Sequence, residues 1–324
     1  MNTTYSIFNR PQLSHIVIGG IEKEACKKNP NGTAVLLLNR SGGRARSRVL
    51  ENLSRHGFEE IISLDNKGMN SGVHELSRHF PSVRFVISLE EASQGELLNL
   101  GFSLLESSYV LVLQDEMCLD DINYDNSIDQ KLRKENVFCV CPKLHSSITQ
   151  NIPVLLYPLV KKSQFSVEMD LPCKDGEKTF YAYDYAGFYD RKKFLCMGGS
   201  DPAIKCNYWQ KLDLFFRAWL WGEKTIISSS FNLNYGGEVP VEEKGADLSY
   251  LRFYLKNLLP VFESDHAFIP FSKFLPFKMR SHCGWTESFR QFSLARKWVE
   301  ENRYLFKTDA VSLIENWEET GGKK

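Results

Sequence analysis

Through the first third of the chain, short apolar runs alternate with stretches whose apolar residues recur every three or four positions. Residues 34–38 (AVLLL), 60–64 (EIISL), 83–87 (VRFVI) and 109–113 (YVLVL) have the length of strands, and 16–18 could form a shorter one. Between them, 44–56 carries Val49, Leu50 and Leu53 at helical spacing and stops at Gly57. Residues 73–80 predict a short helix closed by Pro81. Residues 91–106 predict a longer one, with Leu97, Leu98, Leu100, Leu104 and Leu105 on its apolar face. Strands alternating with helices at this interval imply a mostly parallel sheet with right-handed crossovers. A run apolar on both faces, as at 109–113, suits a central strand covered by helices.

The pattern changes after Asp121. Residues 22–28 and 121–135 are polar and read as a turn or partial helix. Residues 137–141 predict another strand, and 153–160 and 179–185 look extended and aromatic. A helix is expected over 209–221, with Leu212, Phe215, Phe216 and Leu220 on one side and Gly222 as its stop, then a strand at 225–228. Helices are expected over 248–259, 287–302 and 310–317, with a Phe- and Pro-rich linker across 262–277. The division expected is an α/β domain over 1–245 and a helical C-terminal appendage over 246–324.

Composition narrows the function. With 324 residues and 43% hydrophobic content the chain can bury a large core. Its 40 basic and 40 acidic residues cancel, so overall charge gives no footing for nucleic acid. No apolar run reaches the ~18 residues of a spanning helix, and residues 1–14 lack the pattern of a secretory signal. Eight dispersed cysteines with no C-x-x-C pair suggest buried thiols in a reducing, cytoplasmic setting and argue against zinc.

The chemistry concentrates at strand ends. Gln114, Asp115 and Glu116 follow the most apolar strand directly, at the edge where open α/β sheets bind ligands. Two adjacent carboxylates there, Asp115 and Glu116, suit a hard divalent cation such as Mg²⁺ or Mn²⁺, which in turn would hold a diphosphate. Asp65 occupies the same edge at the end of 60–64. Gly101 sits inside a predicted helix at a cost of ~1 kcal/mol against Ala, which points to close helix–sheet packing or to a nucleotide contact with Asn99. Ser41, Gly42, Gly43 and Arg44 form a basic loop without the Lys-Ser/Thr ending of a P-loop, and Arg46 and Arg48 read as a solvated helix face.

The order of five segments over residues 33–237 resembles the GT-A glycosyltransferases of the family 2 type: AVLLLNR at 34–40, EIISLDN at 60–66, ELLNLGFSLLESSYVLVLQDE at 96–116, FYDRKKFLCMGGSDP at 188–202 and WQKLDLFFRAWLWGEKTI at 209–226. The resemblance implies a GT-A fold that binds a nucleoside diphosphate sugar, a UDP-sugar foremost. Asn39, Asp65, Asn99, Gly101 and Asp115 would lie on the nucleotide side, and a divalent cation (Mn or Mg) would sit on Asp115 and Glu116. Two motifs depart from the family pattern. The acidic motif reads Gln114-Asp115-Glu116, and the usual catalytic Glu-Asp pair reads Gln210-Lys211. Direct transfer with inversion needs a base for the acceptor proton, which leaves Asp213 or Asp201. The expected function is sugar transfer to an acceptor glycan, lipid or protein hydroxyl. The alternatives are a catalytically inactive binding protein of the same fold and a sugar nucleotidyltransferase. Phe262, Phe268, Phe271, Phe274 and Phe277 are expected to be core of the appendage, with Lys273, Lys278 and Arg280 leaving room for a peripheral membrane contact.

Overall fold

The computed structural model of the chain describes residues 13–20, 32–40, 42, 45–69, 72–119, 131, 134–146, 150–161, 164–172, 174–236, 239–242, 244–245, 247–281 and 283–320. The polar stretch at 22–28, most of 121–135, and Ser41, Gly43 and Arg44 of the basic loop lie outside the described residues.

The first half alternates as its pattern implies: β1 (His15–Gly19), β2 (Thr33–Leu38), α1 (Arg46–Ser54), β3 (Glu60–Asp65), α2 (Val73–His79), β4 (Arg84–Ser88), α3 (Gln94–Leu104) and β5 (Tyr109–Gln114). Every residue of β2 and β5 is buried, as expected of central strands. Ser93 starts α3 with a capping box to Glu96, which places the helix start three residues later than its apolar pattern suggests. The strands β6 (Met117–Leu119), β7 (Cys139–Ser146), β8 (Gln150–Ile152), β9 (Leu155–Lys161), β10 (Gln164–Asp170) and β11 (Gly187–Asp190) follow. Next come α4 (Arg191–Cys196), α5 (Asn207–Leu220) and β12 (Thr225–Tyr235). The chain closes with α6 (Leu248–Phe253) and its π-helical continuation (Tyr254–Leu258), the hairpin β13 (Val261–Glu263) and β14 (His266–Phe268), α7 (Phe274–Ser281), α8 (Trp285–Asn302) and α9 (Ala310–Thr320).

The main sheet runs β1-β4-β3-β2-β5-β11-β7-β12-β6, with β8 paired to β7. Pairings among β4, β3, β2 and β5, and of β7 with β12, are parallel, while β11 lies antiparallel between β5 and β7. Six of the ten strands therefore point one way, and the sheet is mostly parallel with helices packed on it.

Three elements differ from their sequence pattern. Helix α5 is buried all round from Tyr208 to Leu220, because α6 and its continuation cover the face that looks polar in sequence. Residues 179–185 form no strand but a turn of 3-10 helix (Tyr183–Tyr185). The Phe-rich linker holds the β13–β14 hairpin and α7. One continuous apolar cluster joins Leu36, Phe102, Phe188 and Phe216 to Phe253, Phe292, Val299 and Phe306, so residues on both sides of position 245 share a core. Among the described residues, no helix is long and apolar enough to cross a membrane.

Candidate active site

The site is built where β2 and β5 end side by side. Their register sets Leu38 opposite Gln114, and the Asp115 amide donates to the Leu38 carbonyl at 2.9 Å. The Arg40 amide donates to Asp115 Oδ1 at 3.0 Å, which ties the loop after β2 to the acidic turn. The Arg40 guanidinium then spans two carboxylates, with Nη1 2.6 Å from Asp184 Oδ2 and Nη2 2.9 Å from Glu116 Oε2. Burial works against its charge, but Asp184 and Glu116 outweigh it and raise its pKa above the ordinary arginine value.

Asp184 is the hub on the other side. The Tyr235 hydroxyl donates to its Oδ2 at 2.7 Å, and Gln114 Nε2 donates to its backbone carbonyl at 3.0 Å. Asp184 and Tyr185 both adopt left-handed backbone, at φ 50° and 60°. For residues with a Cβ such strain costs of order 1 kcal/mol or more and collects at functional sites.

Beside this hub opens a cavity of about 660 Å³, lined among others by Arg40, Tyr183, Tyr185, Tyr208, Lys211 and Glu242. The Lys211 ammonium lies 4.8 Å from the Tyr181 ring centre, 5.6 Å from Tyr183 and 5.8 Å from Tyr185, and it pairs with Glu242. The Tyr181 hydroxyl donates to Glu242 at 2.8 Å. Burial pushes the phenols of Tyr181, Tyr183, Tyr185 and Tyr208 up, so these rings are neutral donors at ordinary pH. The Tyr185 hydroxyl is buried with no hydrogen-bond partner among the described residues.

The other residues singled out in the sequence are placed as follows. Asp65 is fully buried: Arg46 Nη1 donates to its two oxygens at 2.6 and 2.8 Å, and Asn39 Nδ2 donates to Oδ1 as well. Burial raises its pKa, Arg46 and Asn39 pull it down, and Asp115 is near enough to push it up again. Arg46 is thus not on a solvated face. It is fully buried, because only there does it reach Asp65 from α1, with its guanidinium 5.7 Å over the Phe85 ring.

Asn99 exchanges two 2.8 Å hydrogen bonds with the Ser200 backbone and so holds the turn at 198–201. A Cβ on Gly101 would stand 2.8 Å from Leu36 Cδ2 and 2.9 Å from Leu64 Cδ1, so that glycine sets how closely α3 meets β2 and β3. Gln210 is a staple, accepting from the Gly95 amide at 3.0 Å and donating to the Asp201 carbonyl at 3.0 Å.

Asp201 and Asp213 meet around Lys256. Its Nζ lies 2.8 Å from Asp201 Oδ2 and 2.9 Å from Asp213 Oδ1. Arg252 adds a 2.8 Å bond to Asp201, and Arg217 and Asn257 bond Asp213 at 3.2 and 2.8 Å. Burial opposes ionisation of Asp201, but Lys256 and Arg252 hold its carboxyl well below the usual range. Neither residue lines the tyrosine-walled cavity; Asp201 lines a second one of about 450 Å³ with Arg252, Lys256 and Trp298. Here the two carboxylates tie α5 and the turn before it to α6 and its π-helical continuation.

A divalent ion was expected on Asp115 and Glu116. As arranged, the donors do not fit one: Glu116 is closed on the Arg40 side chain and Asp115 accepts the Arg40 amide. Among the described residues, no group of three or more His, Cys, Asp or Glu is placed to hold a metal. Sequence reasoning missed Arg40, Asp184, Tyr185 and Glu242. Arg40 could have been found, since it follows Asn39 at a strand end. Asp184 and Glu242 carry no sequence signal, because only the fold brings residues 40, 116, 184 and 242 to one place.

The Phe residues of the C-terminal part divide. Phe277 is buried, but Phe271 is exposed with Leu275, Met279, Trp285 and Phe289, beside exposed Lys273 and Arg280. The reading of all five as core is corrected at Phe271, which lies exposed in the 3-10 turn (Phe271–Lys273) just before α7.

No family model matches the chain, and no curated protein matches it by sequence. Its fold is similar to that of GalNAc-T7 crystallised with UDP, GalNAc and Mn²⁺, with a TM-score of 0.60 at 11% identity over 89% of this chain and 57% of that one. It thus spans a little over half the length of that protein. A weaker likeness is to S. aureus TarS 1–349 in complex with UDP, with a TM-score of 0.49 at 8% identity over 82% of this chain and 70% of that one. With its sheet order, the first likeness establishes the class: the chain has the GT-A nucleotide-sugar transferase fold.

Proposed function

We propose that the chain is a glycosyltransferase that moves a sugar from a nucleoside diphosphate sugar, a UDP-sugar foremost, to an acceptor hydroxyl. The observation that carries this reading is the cleft at the ends of β2 and β5, where a charged Arg40 opens onto a tyrosine-walled cavity. Asn39, Asp65 and Asp115 form the floor on the nucleotide side and hold the loop that presents Arg40. The diphosphate lies against the guanidinium, which is fixed before the reaction and faces the charge that grows as the anomeric bond breaks. The sugar enters among Tyr183, Tyr185 and Tyr208, whose rings suit its C–H surface.

The acceptor oxygen attacks the anomeric carbon in line. The new C–O bond forms as the bond to the diphosphate breaks, and configuration inverts. The acceptor proton goes to one of the cavity-lining carboxylates, Glu242, Asp184 or Asp247. Each also holds a partner: Glu242 has Lys211 and Tyr181, Asp184 has Arg40 and Tyr235, and Asp247 has the Ser249 and Tyr250 amides. A cytoplasmic setting fits the free cysteines at 139, 141, 196 and 283. The basic, apolar outer side of α7 suits contact with an anionic membrane surface, which would bring a lipid-borne acceptor within reach.

The test is a melting-temperature scan with UDP-, GDP- and dTDP-sugars, followed by turnover of whichever stabilises. A ligand at 100 times its dissociation constant adds ~2.7 kcal/mol, which such a scan resolves. A UDP-sugar should stabilise and release UDP on turnover. No response to any nucleotide sugar would refute the reading.

A further inference from the structure

We infer that the Arg40 side chain occupies the place of a divalent cation, so that this chain binds a nucleoside diphosphate without metal. The inference rests on the proposed function above and concerns how the same cleft meets the diphosphate. Each acidic group that could ligate an ion there is already joined to Arg40. Its guanidinium lies between Glu116 Oε2 at 2.9 Å and Asp184 Oδ2 at 2.6 Å, and its amide meets Asp115 Oδ1 at 3.0 Å. A metal ion would have to expel a cation that two carboxylates and the fold hold in position.

The guanidinium is also suited to replace it. Arginine has five N–H donors in a planar fork that matches phosphate oxygens, and the two carboxylate bonds leave donors over. The Arg40 side chain is 26% exposed and lines the 660 Å³ cavity, the space a diphosphate would enter. Lys205 and Lys211 line the same cavity, Lys211 paired with Glu242 and Lys205 with Glu96, so the guanidinium is the cation next to the acidic turn. The neutral Gln114 where the resembling family carries an acid points the same way. It spends its amide on Asp184, leaving one carboxylate fewer for a metal.

The experiment is calorimetric titration of UDP into the whole chain and into Arg40→Met and Arg40→Lys, each with EDTA and each with Mn²⁺. Unliganded melting is recorded for all three, to confirm that the variants fold. The wild type should bind UDP with the same affinity, within about twofold, in EDTA and in Mn²⁺. Arg40→Met should lose about tenfold or more in EDTA, the worth of a charge-assisted hydrogen bond, with Arg40→Lys between the two. Wild-type binding that appears only with Mn²⁺ overturns the inference and leaves the proposed function standing. Undiminished UDP binding by Arg40→Met in EDTA does the same. If the wild type binds no UDP under either condition, the proposed function fails and this inference with it.

Discussion

Replacing Lys256 by Met should destabilise the chain by about 3 kcal/mol. The substitution keeps the length of the side chain and removes the ammonium, whose Nζ lies 4.6 Å from the Trp298 ring centre. Lys256 is 5% exposed and bridges Asp201 and Asp213, which are themselves nearly or fully buried. Removing one partner of a buried ion pair costs ~3–5 kcal/mol, because the other charge stays buried without compensation. Here the loss falls toward the lower end, since Arg252 still serves Asp201 and Arg217 and Asn257 still serve Asp213. At ~2.1 cal/mol/K of unfolding entropy per residue, 3 kcal/mol over 324 residues lowers the melting temperature by about 4 °C. Urea unfolding gives the free energy and calorimetry the temperature. The same variant should bind UDP as the wild type does, because the cluster lies off the tyrosine-walled cavity. A stability within about 0.5 kcal/mol of wild type would refute the assignment of Lys256 as the cross-link between α5 and the continuation of α6.

Gly101→Ala should cost about 1 kcal/mol. The ~1 kcal/mol of helix propensity gained is outweighed by an overpacking cost of ~1–3 kcal/mol against Leu36 and Leu64, and a more stable variant would contradict that. Because the Asp201 carboxyl titrates lower in the folded chain than in the unfolded one, its stabilisation is complete above the unfolded value of ~3.9 and is lost as pH falls toward the folded value. Unfolding free energies taken from pH 5 downward should therefore fall more steeply for the wild type than for Asp201→Asn, and parallel curves would deny the shift. Anionic vesicles should retain the wild type in a flotation assay and release Leu275→Glu, whereas equal retention of both would remove the membrane contact.

The α/β order was readable because β2, β3, β4 and β5 are short apolar runs separated by helices of ordinary spacing, and local pattern decides such elements. The buried faces of α5 were not readable. Gln210, Lys211, Asp213 and Arg217 look like a solvated side until distant segments cover them: Gly95 meets Gln210, Glu242 meets Lys211, Gly199 meets Arg217, and Lys256 and Asn257 in the continuation of α6 meet Asp213. Arg46 misled for the same reason, since a buried arginine is recognisable only with its carboxylate beside it. The candidate site was legible as an edge rather than as a set of side chains. Asp115 and Glu116 marked it, but Asp184 and Glu242 are brought there from far along the chain, and no local spacing encodes that meeting.

A crystal structure of the chain soaked with UDP bears most directly on all of this. The diphosphate is predicted to lie within hydrogen-bond distance of the Arg40 guanidinium, at the ends of β2 and β5, with the tyrosine-walled cavity open beyond it for the sugar. UDP seated elsewhere, as in the cavity beside Asp201 and Trp298, would contradict the account.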